Sequence, residues 1–177
     1  MRFKIKEIGE DGLKLDLPIT AAFLAEECPD LGGVPESPGV WLRGQLLQPG
    51  EDVFLRGRLR GPLLTTCSRC LEKAIFPLNV EVNVSFIRKT EGDDAADEEE
   101  EGDVDVAYFD GEEVNLAPEI RDQIVLAFPI NPLCKEDCAG LCAICGGNRN
   151  QTPCSCAARE SLKDNPLAAA LGKLKLS

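Results

Sequence analysis

Residues 40–64 read VWLRGQLLQPGEDVFLRGRLRGPLL. Apolar side chains fall at Val40, Leu42 and Leu46, and again at Val53, Leu55, Leu59 and Leu63, with arginines and other polar residues between them. A period of two sends alternate side chains to opposite faces of a strand, so each run is a strand with one apolar and one polar face. Gln48-Pro49-Gly50-Glu51 breaks the pattern, as a turn does. The period resumes at Ile75, Leu78, Val80, Val82, Val84 and Phe86, after an interruption near Cys67. The expectation is three long antiparallel strands in a meander.

Working outward, Phe3, Ile5 and Ile8 and then Leu13, Leu15 and Leu17 flank Gly9-Glu10-Asp11-Gly12, which reads as a β-hairpin. Ile19 to Glu27 suits a short helix, ended by Pro29 and a Gly/Pro-rich loop through Gly39. Glu91 to Asp105 is low-complexity acid, too poor in apolar surface to offset its ordering entropy, and reads as a disordered loop over about residues 90–105. Val104, Val106, Tyr108 and Phe109 form an edge-strand pattern. Asn115 then caps a helix from Leu116 to about Ala127, with Ile120, Ile124, Leu126 and Ala127 as its apolar stripe. Asn165-Pro166 opens a last short helix, Leu167 to Leu174. The expected fold class is α+β: an antiparallel β-meander sheet packed by one main helix over residues 1–130, then a small Cys-rich zinc module with the terminal helix over 131–177.

The 177 residues include nine cysteines and no histidine. Without imidazole there is no Ser-His-Asp triad, no H-E-x-x-H zinc protease helix and no His pH switch. Any metal must sit on sulfur or oxygen. The net charge of −12 is concentrated in residues 90–113, which hold 13 acids and no base, leaving 18 acids against 19 bases elsewhere. The acidity therefore says little about the remaining surface. The N-terminus lacks the apolar h-region of a signal peptide, and no stretch reaches the roughly 20 apolar residues that span a bilayer. A cytoplasmic protein is expected, where thiols stay reduced and cysteines point to metal or reactive sulfur.

Setting aside Cys28, eight cysteines remain: Cys67, Cys70, Cys134, Cys138, Cys142, Cys145, Cys154 and Cys156. That number fits two sites of four thiolates, with one or two structural zinc ions, and the spacing does not say which thiolates pair. The strongest local signal is Cys142-Ala143-Ile144-Cys145-Gly146-Gly147, a zinc knuckle whose glycines let the backbone fold around the metal. Its further ligands come from Cys154 and Cys156 or from Cys134 and Cys138. Such a site contributes folding energy on the order of 10 kcal/mol. Cys67-Ser68-Arg69-Cys70 reads as half a metal site, an inert turn or a redox pair; a thioredoxin-type pair needs a helix N-terminus, whereas this motif lies between strand patterns. Cys28 beside Pro29 reads as a small, partly buried residue.

Together, Cys67-Ser68-Arg69-Cys70-Leu71, the acidic gap, Val114-Asn115-Leu116, Pro132-Leu133-Cys134 through Cys138 to Cys142-Ala143-Ile144-Cys145-Gly146, and Asn165-Pro166-Leu167 resemble the YceD family, linked to accumulation of large-subunit ribosomal RNA in bacteria and plastids. The resemblance covers most of the chain from about residue 40. It implies a role in ribosome biogenesis through large-subunit rRNA or assembling ribosomal proteins, with no catalytic residue carried over; no membrane and no small-molecule substrate are expected. Some members lack the C-terminal cysteines, which makes zinc a structural device of this branch.

Phe54, Arg56, Arg58 and Arg60 share one strand face, and Trp41 and Arg43 suit a neighbouring strand. Arginine matches phosphate forks and stacks on bases, so Arg43, Arg56, Arg58 and Arg60 are candidate RNA-binding residues; a solvated sheet face accounts for the same alternation. Lys163, Lys173 and Lys175 form a weaker basic patch. The leading expectation is a non-enzymatic factor in large-subunit biogenesis. The competing one is a thiol redox or metal-handling protein using Cys67 and Cys70.

Overall fold

The computed structural model describes residues 1–29, 31–89 and 105–156. Its elements run β1 (Arg2–Lys4), a 3-10 turn (Ile5–Glu7), β2 (Leu13–Ile19), α1 (Ala21–Glu27), β3 (Val40–Leu47), β4 (Val53–Thr66), β5 (Lys73–Arg88), β6 (Asp105–Phe109), β7 (Glu113–Asn115) and α2 (Ala117–Ala127). A five-stranded sheet has the order β2-β3-β4-β5-β6, and β1 with β7 makes a separate two-stranded sheet. The three-strand core read from residues 40–89 is present as β3, β4 and β5, adjacent in the sheet.

Two topological expectations are corrected. The sheet is mixed, because β6 runs parallel to β5, with Val84 opposite Asp105 and Arg88 opposite Phe109. Residues 89–104 supply the dozen or more residues that a parallel return needs, and alternation within a strand carries no direction. The N-terminal hairpin is absent: Phe3 pairs with Val114 in β7, while Leu13 pairs with Leu46 in β3. Ile5 and Ile8 are three apart, and the 3-10 turn buries both on one side, each 7% exposed.

One face of the five-stranded sheet builds the core from Leu42, Leu46, Leu55, Leu59, Leu63, Leu78, Val82 and Phe86. Ile120 and Ile124 of α2 and Leu24 of α1 pack into the same cluster. Thr20 caps α1, its hydroxyl accepting from the Phe23 N–H at 3.1 Å, as expected of a helix start. At α2 the cap position is Leu116, and Asn115 acts one residue earlier, its Oδ1 accepting from the Ala117 N–H at 3.2 Å. Gly44 faces Gly57 across β3 and β4; a Cβ at Gly44 would stand 2.2 Å from the Arg56 carbonyl oxygen. Only glycine permits that approach.

The chain divides into two compact units: Met1–Thr65 with Ala74–Pro132, and Thr66–Lys73 with the residues from Leu133 on. The second unit thus takes in the connection between β4 and β5. The acidic loop, Val104, the terminal helix and the Lys163, Lys173 and Lys175 patch lie outside the described residues. No described helix is long and apolar enough to cross a membrane.

Candidate metal centres and an arginine-bearing sheet face

Eight cysteines assemble into two groups, Cys67 with Cys70, Cys134 and Cys138, and Cys142 with Cys145, Cys154 and Cys156. Within each group the sulfurs lie within 4.8 Å of one another, close enough to hold a metal ion. The first group is the less exposed: Cys67, Cys70 and Cys138 are buried, whereas in the second only Cys142 is.

The first group depends on a tight turn after β4. The Cys67 N–H donates to the Glu72 carbonyl at 2.8 Å and the Leu71 N–H to the Cys67 carbonyl at 2.9 Å, with Leu71 in the left-handed region at φ 62°. This folds Cys67 and Cys70 toward one point. The Sγ atoms of Cys67 and Cys138 are then 3.7 Å apart, and those of Cys70 and Cys134 3.6 Å. Gly140, at φ 70°, lets the following segment approach Arg69; its Cβ would sit 3.0 Å from the Arg69 carbonyl oxygen, which accepts from the Leu141 N–H at 2.9 Å. Arg69 Nη1 donates to the Cys138 carbonyl at 3.1 Å.

The second group is local in sequence. The Gly146 N–H donates to the Cys142 carbonyl at 2.8 Å and the Cys142 N–H to the Gly147 carbonyl at 2.9 Å, closing the Cys-x-x-Cys-Gly-Gly turn with Gly146 at φ 69°. Cys154 and Cys156 complete it. Of the two sources of ligands left open by the spacing, the downstream pair joins Cys142 and Cys145, and the upstream pair joins Cys67 and Cys70.

Sequence reasoning missed the asparagines of the intervening loop. Asn150 Nδ2 donates to Cys138 Sγ at 3.3 Å and to Asn148 Oδ1 at 2.9 Å, and Asn150 Oδ1 accepts from the Ala139 N–H at 2.9 Å. Gln151 donates to Glu72 at 3.1 Å. The loop between Cys145 and Cys154 therefore also braces the first group. No cysteine-spacing rule marks such residues.

The thiols are prepared unequally. Burial opposes ionisation of Cys67, but backbone N–H groups of Cys134, Cys70 and Arg69 outweigh it and lower the pKa to about 6. Burial and the neighbouring thiols of Cys70, Cys138 and Cys67 push Cys134 up to about 12. In the second group backbone N–H groups of Cys145 and Ile144 bring Cys142 down to about 6, while the Cys145 thiol and burial push Cys156 up to about 12. Four sulfurs this close cannot all ionise unless a cation offsets them, so both donor sets fit a metal ion. Cys28 belongs to neither group; it is buried in the sheet core, where desolvation raises its pKa.

On the first unit, the sheet face opposite the core carries the arginines. Trp41 lies opposite Arg60, Arg43 opposite Arg58, Gln45 opposite Arg56 and Leu47 opposite Phe54. The sequence reading is thereby placed in register: all four arginines and both rings share one face. They are not equivalent. Arg43 is bonded to Asp16 at 2.9 Å and lies over the Trp41 ring at 5.6 Å. Arg58 is paired with Glu81. Among the described residues Arg56 and Arg60 have no such partner.

A model of the family described as large ribosomal RNA subunit accumulation protein YceD matches residues 55–175. The chain belongs to the YceD family. An uncharacterised protein of Mycobacterium tuberculosis is 31% identical over 96 residues, covering 54% of this chain and 44% of that protein. A large ribosomal RNA subunit accumulation protein YCED homolog 1, chloroplastic, from Zea mays is 29% identical over 171 residues, covering 77% and 57% of the respective chains. Its Arabidopsis thaliana counterpart is 26% identical, covering 76% and 49%. The chain thus spans about half the length of these relatives. No solved structure matches it.

Proposed function

We propose that this chain is a non-enzymatic factor that supports the accumulation of large-subunit ribosomal RNA by binding that RNA or an assembling ribosomal protein. Membership of the YceD family carries this reading, since the plant relatives are named for it. In this reading the cysteine groups are scaffolding. Each holds a structural zinc ion on four thiolates, which saturate the metal and leave no open position for water. A tetrahedron with Zn–S near 2.3 Å has edges of about 3.8 Å, close to the 3.6 and 3.7 Å sulfur separations of the first group. The redox alternative has less support, because Cys67 follows a strand instead of opening a helix and shares its surroundings with three other thiols. Reduced thiolates suit a cytoplasmic location.

Depletion of the protein, followed by gradient sedimentation of ribosomal particles, tests the proposal. A deficit of large subunits with altered precursor rRNA is expected, with the protein co-sedimenting with large-subunit precursors. An unchanged subunit ratio and unchanged precursor rRNA would overturn it.

A further inference from the structure

We infer that the open face of the five-stranded sheet binds single-stranded RNA, seating an unpaired base against Trp41 and taking its phosphates on Arg60 and Arg56. This deepens the proposed function and rests on its RNA-binding arm. Three observations converge. Trp41 is 36% exposed and forms a wall of an open, largely apolar cleft of about 480 Å³ with Pro18, Val34, Pro35 and Pro38. Gly39 places no side chain against the nitrogen edge of the indole, where a Cβ would stand in contact at 3.8 Å. Arg60 stands directly opposite Trp41 in the β3–β4 register, and Arg56 lies on the same face of the same strand.

The charges on this face assign the roles. Arg43 and Arg58 already hold Asp16 and Glu81, so each forms a locally neutral pair. Arg56 and Arg60 have no ion-pair partner among the described residues, and their forked donors match phosphate. Glu36 sits in the cleft lining and repels phosphate there, so the strand's backbone belongs over β4 and its base in the cleft. Arg43, over the Trp41 ring, holds the indole as a stacking platform. A base within a duplex is already stacked and cannot enter such a cleft, which selects single strands.

The chain contains one tryptophan, so its fluorescence reports this site alone. The intact protein is titrated with a labelled 12-nucleotide single-stranded RNA of mixed sequence and with the matching 12-base-pair RNA duplex, following probe anisotropy and tryptophan emission together. The expected result is tighter binding of the single strand with quenching of Trp41. Trp41→Phe should retain much of the affinity and Trp41→Ala should lose roughly tenfold, in the range for base stacking. Arg56→Ala with Arg60→Ala should flatten the salt dependence by about 1.4 in log–log slope, two phosphate contacts on a single strand. The charge-neutral pair Arg58→Ala with Glu81→Ala should bind within about twofold of the parent, as expected if that arginine contacts no phosphate. Single-strand binding without quenching, or with an unchanged slope in the Arg56/Arg60 variant, overturns this inference and leaves the proposed function standing. Equal or tighter duplex binding also overturns it. If neither RNA binds, the RNA arm of the proposed function falls as well and a ribosomal protein becomes the partner.

Discussion

Asn150 donates a hydrogen bond to the sulfur of Cys138 at 3.3 Å, although Asn150 lies in the loop between Cys145 and Cys154, cysteines of the other thiol group. Burial alone would disfavour the Cys138 thiolate; this bond and the backbone of Gly140 lower its pKa below the ordinary thiol value. Partners of this kind orient metal ligands and tune their basicity.

Asn150→Ala should therefore weaken metal retention in the Cys67, Cys70, Cys134 and Cys138 group by roughly 10- to 100-fold. Competition with a chromogenic chelator measures it. The Cys142 group, whose sulfurs are not reached by this bond, serves as the internal reference. Equal weakening of both groups would show a general loss of loop structure instead.

Metal content should be about two ions per chain, one for each closed tetrahedral group. Cys67→Ser and Cys145→Ser should each lower it to about one, and the double variant to near zero. Native mass spectrometry of protein purified without chelator counts them. A single shared ion would appear as complete loss in either single variant.

Metal affinity should fall as pH falls, because protons and metal compete for the same sulfurs. In the metal-free chain Cys134 and Cys156 are held at about 12 and stay protonated at neutral pH. Binding at neutral pH must then release at least one proton from each group. Cys67 and Cys142, at about 6, are thiolates at neutral pH and take up protons as the pH drops through that value. Each then adds about one decade of affinity loss per pH unit below about pH 6. Calorimetry in buffers of different ionisation enthalpy measures the protons released.

Gly44→Ala should destabilise the sheet by roughly 1–3 kcal/mol or more, because its Cβ would collide with the Arg56 carbonyl at 2.2 Å. Gly9→Ala is the control, as a Cβ there meets nothing within 4 Å. Denaturant midpoints of the two variants against the parent decide the matter, and equal midpoints would show that the β3–β4 approach is not tight in solution.

The period of two between Val40 and Phe86 was sufficient to place β3, β4 and β5 and the face bearing Arg43, Arg56, Arg58 and Arg60, because alternation is a local property. The direction of β6 was not legible, since Val106 and Tyr108 alternate alike in either orientation. Nor was the partner of Phe3: pairing with Val114 is a long-range choice that competes with a nearby turn. The thiol partition was hidden for the same reason. Cys138 and Cys142 are neighbours in one run but go to different groups, and only the turn after β4 decides which. Asn150 carried no signal, because an amide bonded to sulfur has no characteristic spacing.

The first thiol group joins Cys70 to Cys134, 64 residues later in the chain. During synthesis at roughly 5–20 residues per second, Cys67 and Cys70 would leave the ribosome about 3–13 s before Cys134 follows. For that interval the turn after β4 presents two bare thiols with half a coordination sphere, open to oxidants and to stray soft metals. Completion of the site is thus a late event in the life of the nascent chain, and its timing is set by the length of the segment that contains β5, the acidic stretch and α2.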